Sequence, residues 1–276
     1  MGLTAIPIVF LTLAQAVLSP IGGVLLPSAA LDLGFRQMYN LQFDQAHQTF
    51  QAYEQSHPED AMGPTSSAAA YLYSEFERLG VLQTELFVND AMFEGRKKPA
   101  PDPATRTAFT QAIDRSNQRA EVVLARSPND RNALLAKVMN LGLQADYLAM
   151  VENRNLAAAS RVKQAGGLAE QLLRVAPDCY DAYLAIGAEN YLLSLKPAPV
   201  RWALRIYGAQ TNKDAGIQKL QLTAERGHYL LPYARLMLAV AALRDNDRVR
   251  ARELLGNLAQ EFPNNTLYRQ ELAKLQ

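Results

Sequence analysis

Residues 229–275 read YLLPYARLMLAVAALRDNDRVRARELLGNLAQEFPNNTLYRQELAKL, and this stretch decides the fold. Apolar residues repeat at helical spacing from Leu236 to Leu243, where the polar sequence RDND interrupts them. The spacing resumes until Phe262, and PNN then closes the unit. The stretch therefore predicts two helices joined by a short turn, followed by a third helix.

The same pattern appears near the start of the chain, in a helix pair predicted between residues 31 and 55. Gly34 and Ala46 fall where the two helices cross, and small residues there let the backbones approach closely. Phe50 fills the groove beside the crossing, and Pro58 ends the second helix because it cannot donate a backbone hydrogen bond.

Helix ends of this proline-containing kind recur along the chain, and two of them are 49 residues apart (177 − 128). That interval is longer than the 34 residues or so of a plain tetratricopeptide repeat, so these helices are predicted to be extended. The four prolines are Pro58, Pro128, Pro177 and Pro263.

This spacing of small, aromatic and proline residues resembles the tetratricopeptide-repeat (TPR) superfamily over residues 31–275, although Gln37 and Tyr53 depart from the usual residues. Within this superfamily the chain is similar to the exported helical-repeat proteins of bacteria. The resemblance implies an all-α, right-handed TPR-like solenoid of antiparallel helix pairs, with about 10–12 helices, some of them extended. It also implies a concave surface that binds proteins or peptides.

Between the two terminal pairs the sequence predicts further helices, a proline-rich loop near 94–104 and a looser insert near 195–210. Everything from 31 to 276 is expected to form a single domain. The helices in this part of the chain are predicted over 66–87, 104–125, 132–150, 156–175, 183–194, 200–207 and 211–226, the last one closed by Gly227.

Residues 1–30 are predicted to be a signal peptide or an N-terminal anchor. They contain no charged side chain, and their apolar run over 8–18 has the length of a signal-peptide core. Small-x-small sequences at 14–16 and 28–30 fit cleavage. Cleaved export to the periplasm is the favoured prediction, and an uncleaved membrane anchor and a cytosolic protein are the alternatives.

Composition excludes several classes of function. The formal net charge of +1, with both signs interspersed, argues against a nucleic-acid groove. The single cysteine, Cys179, excludes an intramolecular disulfide and a multi-cysteine metal site, and it is expected to be buried. No P-loop, dinucleotide fingerprint, HExxH or nucleophile elbow is present, so the sequence predicts no catalytic residue, cofactor or metal, and no enzyme.

The predicted concave face is apolar rather than basic, which argues against a clamp for acidic peptide ends. It is instead expected to form an apolar groove, either open or filled by the chain itself. Its residues, by alignment on Pro58 and Pro263, are Phe35, Met38, Tyr39, Tyr233, Leu236, Val240 and Leu243.

Two functions are open at this point. The favoured hypothesis is a non-enzymatic scaffold or adaptor of the cell envelope that binds an unidentified protein or peptide. The alternative is a periplasmic module that binds a small molecule or lipid in an apolar groove.

The helix predicted over 200–207 combines Trp202 with Arg201 and Arg205, a composition that suits a membrane surface. Peripheral membrane contact is nevertheless not the favoured prediction. A helix tucked into the concave side of the solenoid is expected instead.

Overall fold

The computed structural model describes residues 29–81, 99–206 and 208–275. The predictions for the signal segment over 1–28 and for the loop over 94–98 lie outside the described residues.

The described residues are all-α, as predicted, and contain no strand. A five-residue π-helical turn, Tyr147–Val151, extends α5, and a short 3₁₀ turn, Tyr180–Ala182, precedes α7. Within the described residues the α-helices number twelve: α1 Ala29–Tyr39, α2 Phe43–Ser56, α3 Met62–Leu79, α4 Pro103–Arg126, α5 Arg131–Asp146, α6 Asn155–Val175, α7 Tyr183–Ser194, α8 Ala198–Ile206, α9 Lys213–Arg226, α10 Leu231–Arg244, α11 Arg248–Glu261 and α12 Thr266–Ala273.

Four helices end in one and the same turn, which confirms the predicted helix ends. In each, a proline stands two residues after the last helical residue. The residue between them has φ from −141 to −121° and ψ from 65 to 82°, and its N–H donates to the carbonyl four residues earlier. The residues in this position are His57, Ser127, Ala176 and Phe262, each followed by its proline.

The predicted boundaries of two helices were wrong. The helix predicted over 66–87 begins at Met62, and it ends at Leu79 because Gly80 adopts the left-handed conformation (φ 58°) that closes a helix. The helix predicted to start at 211 begins two residues later, because the Asn212 side chain accepts a hydrogen bond from Ala215 N and caps it.

Successive helices pack on one another in chain order, except that α9 packs on α7 and bypasses α8. The first helices of the pairs also contact each other, α1 on α3, α3 on α5 and α5 on α7. At the α1–α2 crossing a Cβ on Gly34 would lie 2.2 Å from the Phe50 ring, and Ala46 is fully buried, as the sequence predicts.

The two ends of this helical array meet. The Tyr39 hydroxyl donates to the Tyr229 carbonyl oxygen at 3.0 Å, and Asn265 Nδ2 donates to the Tyr39 carbonyl oxygen at 2.8 Å. The Phe35 and Tyr229 rings stack with centroids 4.7 Å apart. The first helix therefore packs on the last helical hairpin, about 190 residues away in sequence.

We predict that Gly216→Ala destabilises the protein by about 1–3 kcal/mol through overpacking. A Cβ there would lie 2.6 Å from the backbone nitrogen of Tyr191 and 3.0 Å from the carbonyl oxygen of Gly187, and backbone atoms of α7 cannot turn aside. Urea denaturation monitored by circular dichroism measures the change.

The matched control is Gly256→Ala on α11, where a Cβ meets no atom within 4 Å. This change should raise the free energy of unfolding by about 0.5–1 kcal/mol, since alanine favours the helix. Equal effects of the two substitutions would contradict the close approach of α7 and α9.

Candidate functional site

An apolar cavity lies among the first helices of the pairs. The space between its lining atoms measures ≈ 770 Å³ with the open mouth included, and ≈ 80 Å³ of it accepts the centre of a water molecule. Most of the lining is aliphatic or aromatic, as in small-molecule sites. The residues come chiefly from α1 (Phe35, Met38, Tyr39), α3 (Ala69, Tyr73), α5 (Val138, Met139, Gly142, Leu143, Ala145, Asp146), α6 (Val162, Ala165), α7 (Leu184, Ala185, Ala188, Leu192) and α10 (Tyr233, Met237), with Asp181 and Leu230.

One hydrogen-bonded pair, Asp146 and Tyr233, introduces polarity into this lining. The Tyr233 hydroxyl donates to Asp146 Oδ2 at 2.9 Å and joins α10 to α5 across the cavity wall. Burial raises the pKa of Asp146 to about 6, while the hydrogen bond from Tyr233 lowers it. Burial, followed by the neighbouring Asp146, raises the pKa of Tyr233 well above its usual value. At neutral pH the pair is therefore a neutral phenol bonded to a carboxylate that holds its charge weakly.

The second carboxylate of the lining, Asp181, is hydrogen-bonded to the backbone. It accepts hydrogen bonds from the N–H groups of His228 (2.7 Å), Tyr229 (3.1 Å) and Leu230 (3.1 Å). Burial raises the pKa of Asp181, and the three backbone donors lower it. Asp181 thus fixes the turn before α10, and this turn is the one that contacts α1 through Tyr229.

The structure brings four of the seven predicted concave-face residues together. Phe35, Met38, Tyr39 and Tyr233 line the cavity. Leu236 lies in a smaller neighbouring recess that also touches Met38 and Tyr39. The remaining two predicted residues, Val240 and Leu243, line neither space.

The three α1 residues of the predicted face are not presented as an open surface. Phe35, Met38 and Tyr39 are at most 4% exposed, since the last hairpin covers them. The Tyr39 ring, for example, lies 5.5 Å from the Phe262 ring. The groove thus combines the two predicted states: the chain's own ends cover its α1 side, and the cavity keeps an open mouth.

Sequence reasoning missed the polar members of the site. Asp146 follows the apolar residues Leu143 and Ala145, and Asp181 lies two residues after Cys179. An isolated aspartate at an apolar helix position was the available signal, because a buried carboxylate requires a partner. The partner, Tyr233, is 87 residues away and is identified only by the fold.

The other residues whose side chains could react or bind a metal have structural roles. Cys179 is buried, and burial raises the pKa of its thiol to about 11. Asp60 accepts a hydrogen bond at 2.8 Å from the backbone N–H of Met62, the first residue of α3. Among residues 29–81, 99–206 and 208–275, no group of three or more His, Cys, Asp and Glu side chains is arranged to hold a metal ion. Over the same residues, no helix is both long and apolar enough to cross a membrane.

No protein-family model, curated protein or solved structure matches this chain.

We predict that Asp146→Asn changes the pH dependence of stability. Because the folded-state pKa of Asp146 lies near 6, above the usual 3.8, the folded chain retains this proton longer than the unfolded chain. Wild-type stability therefore falls as pH rises between about 4 and 6, by up to about 3 kcal/mol from this group, and the contribution is constant at higher pH.

The substitution removes this loss. As pH rises through the same interval, the free energy of unfolding should therefore fall less in Asp146→Asn than in the wild type. Urea denaturation at a series of pH values measures both curves. Tyr233→Phe is the companion variant: it removes the donor that lowers the pKa of Asp146, so the interval should extend to higher pH. Parallel curves for wild type and Asp146→Asn would contradict the assignment.

Proposed function

We propose that the protein is a non-enzymatic binding module that holds one small, mostly apolar molecule in the central cavity. The molecule carries a hydrogen-bond donor, best an amine, that meets Asp146. The observation that carries the proposal is the Asp146 carboxylate, bonded to Tyr233, in a mostly apolar cavity lining. Apolar walls with a few convergent polar groups are typical of small-molecule sites.

The polar anchor has the geometry this requires. Tyr233 donates to Oδ2 of Asp146, which leaves Oδ1 to accept a second hydrogen bond from the ligand. A cationic donor would stabilise the charged carboxylate and offset the burial that raises its pKa. An apolar body would replace water along side chains such as Met139, Leu184 and Met237.

The TPR-like architecture is part of the same proposal. The four equivalent proline turns and the chain-order packing support a solenoid of antiparallel helix pairs. Contact between its first and last hairpins would turn a concave groove into a cavity. The protein- or peptide-binding scaffold of the envelope stays a prediction, and the burial of Phe35 and Tyr39 counts against an open concave face for it.

The experiment fills the cavity by substitution. Gly142 lines the cavity, and a Cβ there meets no atom within 4 Å, so Gly142→Leu places a side chain in the free space. With a dansyl-labelled alkylamine as the probe, we expect saturable fluorescence enhancement at one probe per chain. Gly142→Leu should weaken this binding at least about tenfold.

The matched control is Gly256→Leu, an equally open helical glycine on α11 outside the cavity lining, which should leave the affinity unchanged. Asp146→Asn should weaken binding of the amine but not of its N-acetylated form. Equal probe affinity in wild type and Gly142→Leu would contradict the proposal. Co-purified peptides in native mass spectra of the full chain would favour the scaffold instead.

A further inference from the structure

Helix α8 exposes large apolar side chains to solvent. Among the described α-helices it is the one that contains no buried residue. Its large apolar side chains face solvent: Trp202 is 69% exposed, Ile206 62% and Val200 41%. The expectation that this helix would tuck into the concave side was wrong, since none of its residues lines the cavity.

The polar side of α8 holds it to the body of the protein. Arg201 Nη1 donates to the carbonyl oxygen of Ser194 at 3.1 Å, and Arg205 Nε donates to Thr211 Oγ1 at 2.6 Å. Residues four apart share a helix face, so both arginines lie on one side of α8 and bond to the chain segments that flank it. A surface helix usually turns its apolar stripe toward the core, whereas Trp202 and Ile206 of α8, also four residues apart, face solvent.

Two residues that follow α8 in the chain, Gln210 and Asn212, are bonded to α7. Gln210 N donates to the buried carboxylate of Glu189 at 3.0 Å, and Asn212 N donates to Asn190 Oδ1 at 3.2 Å. Both acceptors lie on α7. The chain that follows α8 is therefore held against α7 while the apolar side chains of α8 stay exposed.

Charge identifies the chemistry of the partner. Residues 190–212 contain three basic side chains, Lys196, Arg201 and Arg205, and no acidic one, in a chain of net charge +1. A basic segment with an exposed indole matches an anionic lipid surface, where tryptophan favours the headgroup region and each cation is attracted. A second copy of the chain fits less well, because a nine-residue helix spans about 14 Å and cannot supply the roughly 800 Å² per partner of a stable interface.

We propose that α8 and its flanking turns form a peripheral contact with an anionic lipid bilayer, the helix lying in the plane of the surface. Trp202, Ile206 and Val200 enter the headgroup boundary, and the two exposed cations, Lys196 and Arg205, lie beside the lipid phosphates. This inference does not depend on the ligand proposed for the cavity.

The test uses the only tryptophan of the chain as its reporter. Emission of Trp202 in the full chain is recorded on titration with vesicles of phosphatidylcholine plus phosphatidylglycerol, and with phosphatidylcholine alone. We expect a blue shift with the anionic vesicles that is about tenfold weaker with the neutral ones and declines with added salt. Quenching by lipids brominated on the acyl chain should accompany the shift.

A double variant, Val200→Ser with Ile206→Ser, keeps the reporter and should weaken apparent vesicle affinity about tenfold. Val249→Ser on α11, at an equally exposed apolar position (74%), is the matched control and should have no effect. Unchanged Trp202 emission with anionic vesicles would overturn the proposal. So would a shift that the double variant leaves intact, or one that grows with protein concentration in the absence of lipid.

Discussion

The contact between the first helix and the last hairpin is the constraint on which the rest of the structure depends. Tyr39 is its centre: the hydroxyl donates to the backbone of Tyr229, the carbonyl accepts from Asn265, and the ring packs beside Phe262. A stack of helix pairs that stayed open would expose the apolar side of each first helix. Meeting ends remove that exposure and leave a cavity in its place.

Two carboxylates lie in the cavity lining and have different roles. Asp146 and Asp181 both have raised pKa values because protein surrounds them, yet they do different work. Asp181 is bonded to three backbone N–H groups and holds the turn that touches α1. Asp146 accepts a hydrogen bond from Tyr233, its one side-chain partner among the described residues, and its second oxygen can accept from a further donor. Closure of the array and the polar anchor of the cavity are thus linked through the same turn before α10.

Local features of this structure could be predicted from the sequence, and long-range ones could not. The proline turns were predictable because a proline and the residues beside it determine the helix end within a few positions. Closure depends on the summed crossing angles of many helix pairs, and no local pattern encodes that sum. For this reason Phe35 and Tyr39, which line the cavity, could be named from the sequence, while their burial by Tyr229 and Phe262 could not. The orientation of α8 was not predicted either, although the bonds of Arg201 to Ser194 and of Arg205 to Thr211 span only seven and six residues.

A double-mutant cycle between Phe35 and Tyr229 tests the closure most directly. The rings stack 4.7 Å apart although the residues are 194 positions apart in sequence (229 − 35). With Phe35→Leu, Tyr229→Leu and the double variant measured by urea denaturation, closure predicts a coupling free energy of about 0.5–1.5 kcal/mol. Strict additivity of the two substitutions would show that the ends do not meet in solution.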